Sequence, residues 1–108
     1  MSVAWLYLAI AAVFEVGFAL SMKASHGFTV LWPSVGTLAG IIGGMYFLAL
    51  ALKTLPVSIG YPVWVGVGAL GTVLFGWVLF GESITLLKFA SVAAIVVGVI
   101  GLKLAAPS

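Results

Sequence analysis

Glu15 is the one acidic residue that falls inside a long apolar stretch of this 108-residue chain, and no basic residue lies at comparable depth to pair with it. A carboxyl at membrane depth costs on the order of 2.5–3.5 kcal/mol on insertion scales, so its presence reads as a proton or ion site. On a helix Glu15 shares a face with Ala11, Ala12, Phe18, Ala19 and Met22, following three- and four-residue spacing. The small neighbours leave space beside the carboxyl. Apolar surroundings disfavour its charged form, and a second Glu15 from another chain would disfavour it further and couple the two titrations. Such a pair can hold protons and release them when a cation arrives. The plainer alternative is a protonated, hydrogen-bonded glutamic acid that clips helices together.

The second group with chemical potential is Ile59-Gly60-Tyr61-Pro62-Val63-Trp64-Val65-Gly66-Val67-Gly68. Tyr61 and Trp64 are three apart and share a helical face. Aromatic rings hold an organic cation against their faces, and a tyrosine hydroxyl can hydrogen-bond a carboxylate. An interfacial aromatic belt is the alternative, but the pair lies one to two turns inside its span. Pro62 deletes a backbone hydrogen bond and Gly66 and Gly68 lack side chains, so the pattern predicts a kink or flexible point near the middle of this helix, suited to alternating access. The other polar residues say less. His26, among Lys23, Ser25 and Gly27, reads as a solvated loop residue; Lys23, Lys53 and Lys103 sit near helix ends, where long amines snorkel to headgroups. Glu82 follows Gly81 in a turn and reads as the start of the last helix, with Lys88 above it, while Ser21, Thr37, Tyr46, Ser58, Thr72 and Ser91 are left unranked.

The elements that must position these groups follow from composition. At 65% hydrophobic, 6% charged and a mean hydropathy of +1.41, the chain lacks the polar surface to coat a soluble globule. It reads as an all-α integral membrane protein. The first apolar stretch has neither a basic leader nor a small-residue cleavage site, and equally long stretches follow, so a removable signal peptide is not expected. Absence of cysteine excludes disulfides and thiolate chemistry, and no metal or other cofactor is expected. A net charge of +2 without a basic run argues against nucleic acid.

Charges and turn formers cluster at Lys23 to Thr29, Lys53 to Pro56 and Gly81 to Thr85. They delimit spans of Val3–Met22, Leu31–Leu52, Val57–Phe80 and Leu86–Leu104, each near the ~20 residues a crossing helix needs. A single transmembrane domain over residues 1–108 follows, in up-down-up-down order because the connections are short. Pro33 and Pro56 lie at span starts, where a missing N–H costs little.

Four helices make a thin bundle with little interior for a carboxylate, so an oligomer is expected. With the spans alternating, Lys53 and Lys103 fall on one side and Lys23 and Lys88 on the other. Orientation normally follows the basic excess, and here there is none. This predicts dual topology, with copies inserted both ways and paired antiparallel; the alternative is one orientation set by the amino terminus or the order of translocation. Small residues at four-residue spacing let backbones approach. One ridge is Gly36, Gly40 and Gly44, with Gly43 beside it; another is Ala90, Ala94 and Gly98, followed by Gly101. The last span has no ionisable group inside it, so its ridge is the candidate dimer contact.

Across essentially its whole length the chain resembles the small multidrug resistance family. The match is carried by Phe14-Glu15-Val16, Lys23 with His26-Gly27-Phe28-Thr29, Trp32-Pro33-Ser34, Leu55-Pro56 and Tyr61 to Gly68. The resemblance implies four helices, an antiparallel homodimer of dual topology, and proton-coupled export of cations through paired glutamates in a bacterial cell membrane. Glu15 would take the central role, with Tyr61 and Trp64 lining the chamber. Lys53-Thr54-Leu55-Pro56, Gly68-Ala69-Leu70-Gly71, Phe80-Gly81-Glu82-Ser83 and Gly101-Leu102-Lys103 look like the guanidinium-exporting branch. Phe18, Gly44, Pro62 and Val65 depart from it: that branch usually has tryptophan, serine, alanine and a hydroxyl residue there, facing or approaching the chamber.

The reading is a proton-coupled antiporter for guanidinium-type or small organic cations, with itself, protons, organic cations and lipid as partners. Ala12, Phe18, Gly44, Pro62, Val65, Gly66 and Gly68 are candidates to line or gate the chamber, and Ala90, Ala94 and Gly98 to pack the dimer. An exporter of quaternary ammonium compounds is the nearest alternative. From other classes, a rotor-type proteolipid typically has only two helices, and a non-transporting scaffold or accessory subunit leaves Glu15 without purpose.

Overall fold

The computed structural model describes residues 3–106. They form four helices, α1 (Val3–Ala24), α2 (Leu31–Ala51), α3 (Val57–Phe80) and α4 (Leu86–Ala105). Each is long and apolar enough to cross a bilayer. Their ends fall within two residues of the spans expected from the charge breaks.

Local chemistry explains where the helices stop. After α1 the chain turns on Ser25, which is fully buried. Its hydroxyl donates to the Met22 carbonyl at 2.6 Å and accepts from the Phe28 N–H at 3.0 Å. This holds His26, Gly27 and Phe28 in successive left-handed conformations (φ 49°, 74° and 65°), a geometry that only glycine adopts at little cost. α3 ends at Gly81, also left-handed at φ 66°, which lets the following Glu82 N–H return to the Gly76 carbonyl at 3.4 Å. Thr85 caps α4 by accepting the Lys88 N–H at 3.1 Å. Several polar side chains left unranked by sequence satisfy themselves within their own helix. Thr37 donates to Pro33, Thr72 to Gly68 and Ser91 to Leu87, each to the carbonyl four residues back.

The glycine ridge of α2 is a contact inside the chain. A Cβ on Gly40 would stand 2.7 Å from the Phe18 Cβ, and one on Gly43 2.7 Å from the Phe14 ring, so only glycine lets α1 and α2 approach this closely. The core lies toward one end of the bundle, built from Ala4, Trp5, Leu8, Ala11 and Ala12 of α1, Leu48 and Ala51 of α2, Leu55, and Ile59, Val63 and Trp64 of α3. α4 has no buried residue. It leans on α3, where a Cβ on Gly66 would meet Val99 and Ile95. Its own ridge of Ala90, Ala94 and Gly98 is exposed in the single chain.

Contacts at the two ends agree with the alternating order. Lys23, in the last turn of α1, pairs with Glu82, after α3, at 3.3 Å, and its ammonium lies 5.8 Å from the Phe80 ring. At the other end the Lys103 ammonium lies 4.3 Å from the Trp5 ring. Two expectations are corrected. Glu82 is not simply the opening residue of α4 beneath Lys88: it reaches Lys23, while Lys88 donates to the Ser83 carbonyl at 2.8 Å. Pro62 occupies the second turn of α3, not its middle, and the helix runs unbroken from Val57 to Phe80. Pro62 has no N–H to donate to the Ser58 carbonyl, and the helix nevertheless continues on both sides of it.

Candidate functional site

Glu15 is half-buried on α1, facing α3. Its place there depends on Gly68, where a Cβ would overlap the carboxyl group, and on Gly71, where a Cβ would press into Val16. The two glycines, three apart, clear one face of α3 for this turn of α1. Gly44 of α2 approaches the same turn from the other side; a Cβ there would stand 3.6 Å from the Ala11 carbonyl oxygen and 4.0 Å from the Glu15 nitrogen. Among the described residues the one ion pair is Lys23 with Glu82, and none of them gives Glu15 a cationic partner. No cluster of metal-ligating side chains occurs among the described residues.

Tyr61 and Trp64 share a face of α3, their ring centroids 5.4 Å apart and tilted at 67°. Their surroundings differ sharply: Tyr61 is 48% exposed and Trp64 only 3%. The Trp64 Nε1–H donates to the Ala11 carbonyl at 3.1 Å. Among the described residues this is the one side-chain hydrogen bond that joins two helices.

The structure thus brings Glu15, Gly68, Ala12 and Trp64 together along the α1–α3 contact. An apolar cavity of about 130 Å³ continues this contact, lined by Trp5, Leu8, Ala9, Ala12, Val63, Trp64 and Val67. Phe18 lies on the α2 side of α1, its Cβ over Gly40, and Gly66 faces α4. Pro62 and Val65 point away from the core and are exposed. Sequence reasoning missed Gly71, the Ala11 carbonyl and the cavity wall at Trp5 and Leu8. A signal for that wall was present: Trp5, Leu8, Ala12 and Glu15 follow one another at three- and four-residue steps on one helix face.

Chemically, the arrangement offers one carboxyl without an internal counter-ion, set against a side-chain-free strip of helix, with apolar walls and an accessible phenol one turn from a buried indole. It can hold a proton or exchange it for a cation.

A model of the Small Multidrug Resistance protein family matches residues 3–95. The chain is 49% identical over 100 residues to the guanidinium exporter of Escherichia coli (strain K12), covering 93% of this chain and 95% of that protein. It is 47% identical over 102 residues to the guanidinium exporter of Yersinia pestis, covering 94% and 98%. With that of Proteus vulgaris it shares 45% identity over 101 residues, covering 94% and 97%. Four helices able to cross a bilayer, a lone carboxyl at membrane depth and a family match over residues 3–95 converge, and this multi-pass membrane chain belongs to the Small Multidrug Resistance protein family.

Proposed function

We propose that the chain is a proton-coupled antiporter that exports guanidinium-type cations across the bacterial inner membrane as an antiparallel homodimer of dual topology. The substrate class is taken from the relatives named guanidinium exporter. The observation that carries the mechanism is Glu15, half-buried against Gly68 with no cation beside it among the described residues. In the dimer two Glu15 carboxyls share one site. A planar guanidinium, which donates hydrogen bonds and accepts none, suits paired carboxylates, and Tyr61 and Trp64 border the site.

Coupling comes from competition. Proton and cation require the same carboxylates, so their occupancy is mutually exclusive, and the dimer need only exchange equivalent inward- and outward-facing forms. The sign follows directly. Lowering pH fills the site with protons and weakens guanidinium binding on that side; raising pH frees the carboxylates and strengthens it.

The test is uptake into proteoliposomes under a proton gradient. Glu15→Gln should fold and dimerise but lose proton-driven guanidinium uptake and the proton release that guanidinium provokes in detergent. Normal transport by this variant sinks the mechanism, and faster uptake of a quaternary ammonium compound than of guanidinium overturns the substrate class.

A further inference from the structure

We propose that Trp64 acts as a positioning residue: its indole N–H ties the Ala11 carbonyl to α3 and thereby fixes the turn of α1 that carries Glu15. The inference rests on the antiporter reading for what the turn is used for, but the bond stands on its own geometry.

Four observations support it. Trp64 is 3% exposed, so little of its ring is open to a ligand, whereas Tyr61, one turn away, is 48% exposed. The Trp64 Nε1–H is already engaged, 3.1 Å from the Ala11 oxygen. An indole nitrogen is a donor only, and so is guanidinium, so this N–H can make no hydrogen bond to the proposed cation. Finally, Ala11 lies four residues before Glu15, and its carbonyl is the acceptor that the α-helical pattern assigns to the Glu15 N–H. The carbonyl therefore takes one donor from the backbone of Glu15 and one from α3. It is also fully buried, with Gly44 packed on its far side, so no water competes for it.

The bond explains how a helix contact without ion pairs keeps its register. Gly68 and Gly71 let α1 approach α3 and seat Glu15 and Val16, but, lacking side chains, they offer no directional bond of their own. The bond from Trp64, one turn from the carboxyl, supplies it. Disturbing it should change how Glu15 holds a proton even when no cation is present, which a residue that only touches the cation would not do. α2 and α3, the helices packed on α1, carry no charged residue, and their titratable groups are Tyr46 and Tyr61; α1 itself adds Tyr7 and Lys23.

The test uses the dimer in lipid nanodiscs with ¹³C-labelled glutamate carboxyls. Glu15 and Glu82 are the only acidic residues, so the two signals are separable. In cation-free buffer Trp64→Phe, which keeps a ring and loses the N–H, should move the Glu15 titration midpoint by about half a pH unit or more, the scale of one lost hydrogen bond. Trp77→Phe, an exposed tryptophan on the same helix, should leave it in place. An unmoved midpoint in Trp64→Phe overturns the proposal, whether or not guanidinium affinity falls. If that variant does not assemble, hydrogen exchange of the wild-type indoles decides. A Trp64 N–H protected with and without guanidinium supports the bond; rapid exchange without the cation refutes it. Failure of the wild-type protein to transport guanidinium would defeat the antiporter reading while leaving both measurements decisive for Trp64.

Discussion

Gly68 governs where the Glu15 carboxyl can lie, because any Cβ there occupies the space the carboxyl now fills. Gly68→Ala should therefore leave α3 helical, since alanine is the better helix former, yet push Glu15 out of its seat. The expected outcome is guanidinium uptake reduced about tenfold or more, which corresponds to only ~1.4 kcal/mol of misplacement. The comparison that checks it is proteoliposome uptake by Gly68→Ala against Ala69→Gly at the neighbouring position. The pH rule belongs to the same scale. Guanidinium affinity measured by calorimetry should rise with pH and flatten once both carboxyls are ionised; affinity independent of pH contradicts a shared site. Glu15 itself stood out in the sequence because charge inside an apolar span is costly. Its neighbours across the helix contact were not legible, since glycines that clear space look like glycines that merely populate a membrane helix.

At the scale of helices, the two small-residue ridges have different fates. That of α2 is spent within the chain: Gly40→Ala would drive a Cβ to 2.7 Å from the Phe18 Cβ and 3.2 Å from its backbone. Overpacking of this kind costs about 1–3 kcal/mol, so the thermal midpoint of the detergent-solubilised protein should fall. The ridge of α4 is exposed, and among the described residues no atom lies within 4 Å of a Cβ built on Gly98. Gly98→Leu should accordingly leave each chain folded, by circular dichroism, while weakening the dimer in cross-linking or light scattering. An intact dimer in that variant places the contact elsewhere. The spacing of the two ridges is the same, so spacing alone did not separate them; only the lack of an ionisable group inside the last span marked its ridge as the candidate dimer contact. By contrast the Lys23–Glu82 pair, with side chains 57% and 44% exposed, should contribute no more than about 1 kcal/mol. A double-mutant cycle with Lys23→Gln and Glu82→Gln measures it.

At the scale of the molecule, two lysines at each end leave no basic excess to choose an orientation. In the proposed antiparallel pair both orientations are needed. Adding one lysine beside Lys53 should bias insertion and depress export, and co-expression with a copy biased by a lysine beside Lys88 should restore it. Reporter tags at the termini check the bias, and a single orientation in the unaltered protein removes the dual-topology reading.

The sequence by itself determined the four spans, their alternation and the single acid inside a span, because a bilayer demands about twenty apolar residues per crossing and penalises every exception. Only the tertiary structure decided which helix faces meet. It turned Tyr61 and Trp64, equal by spacing, into an open ring and a buried one bonded to Ala11. It seated Glu15 on Gly68, and it left α4 uncovered. The physical reason is that lipid is as apolar as the side chains it surrounds. Hydrophobic pattern therefore says that a helix crosses, and only close packing and a directional hydrogen bond say against what.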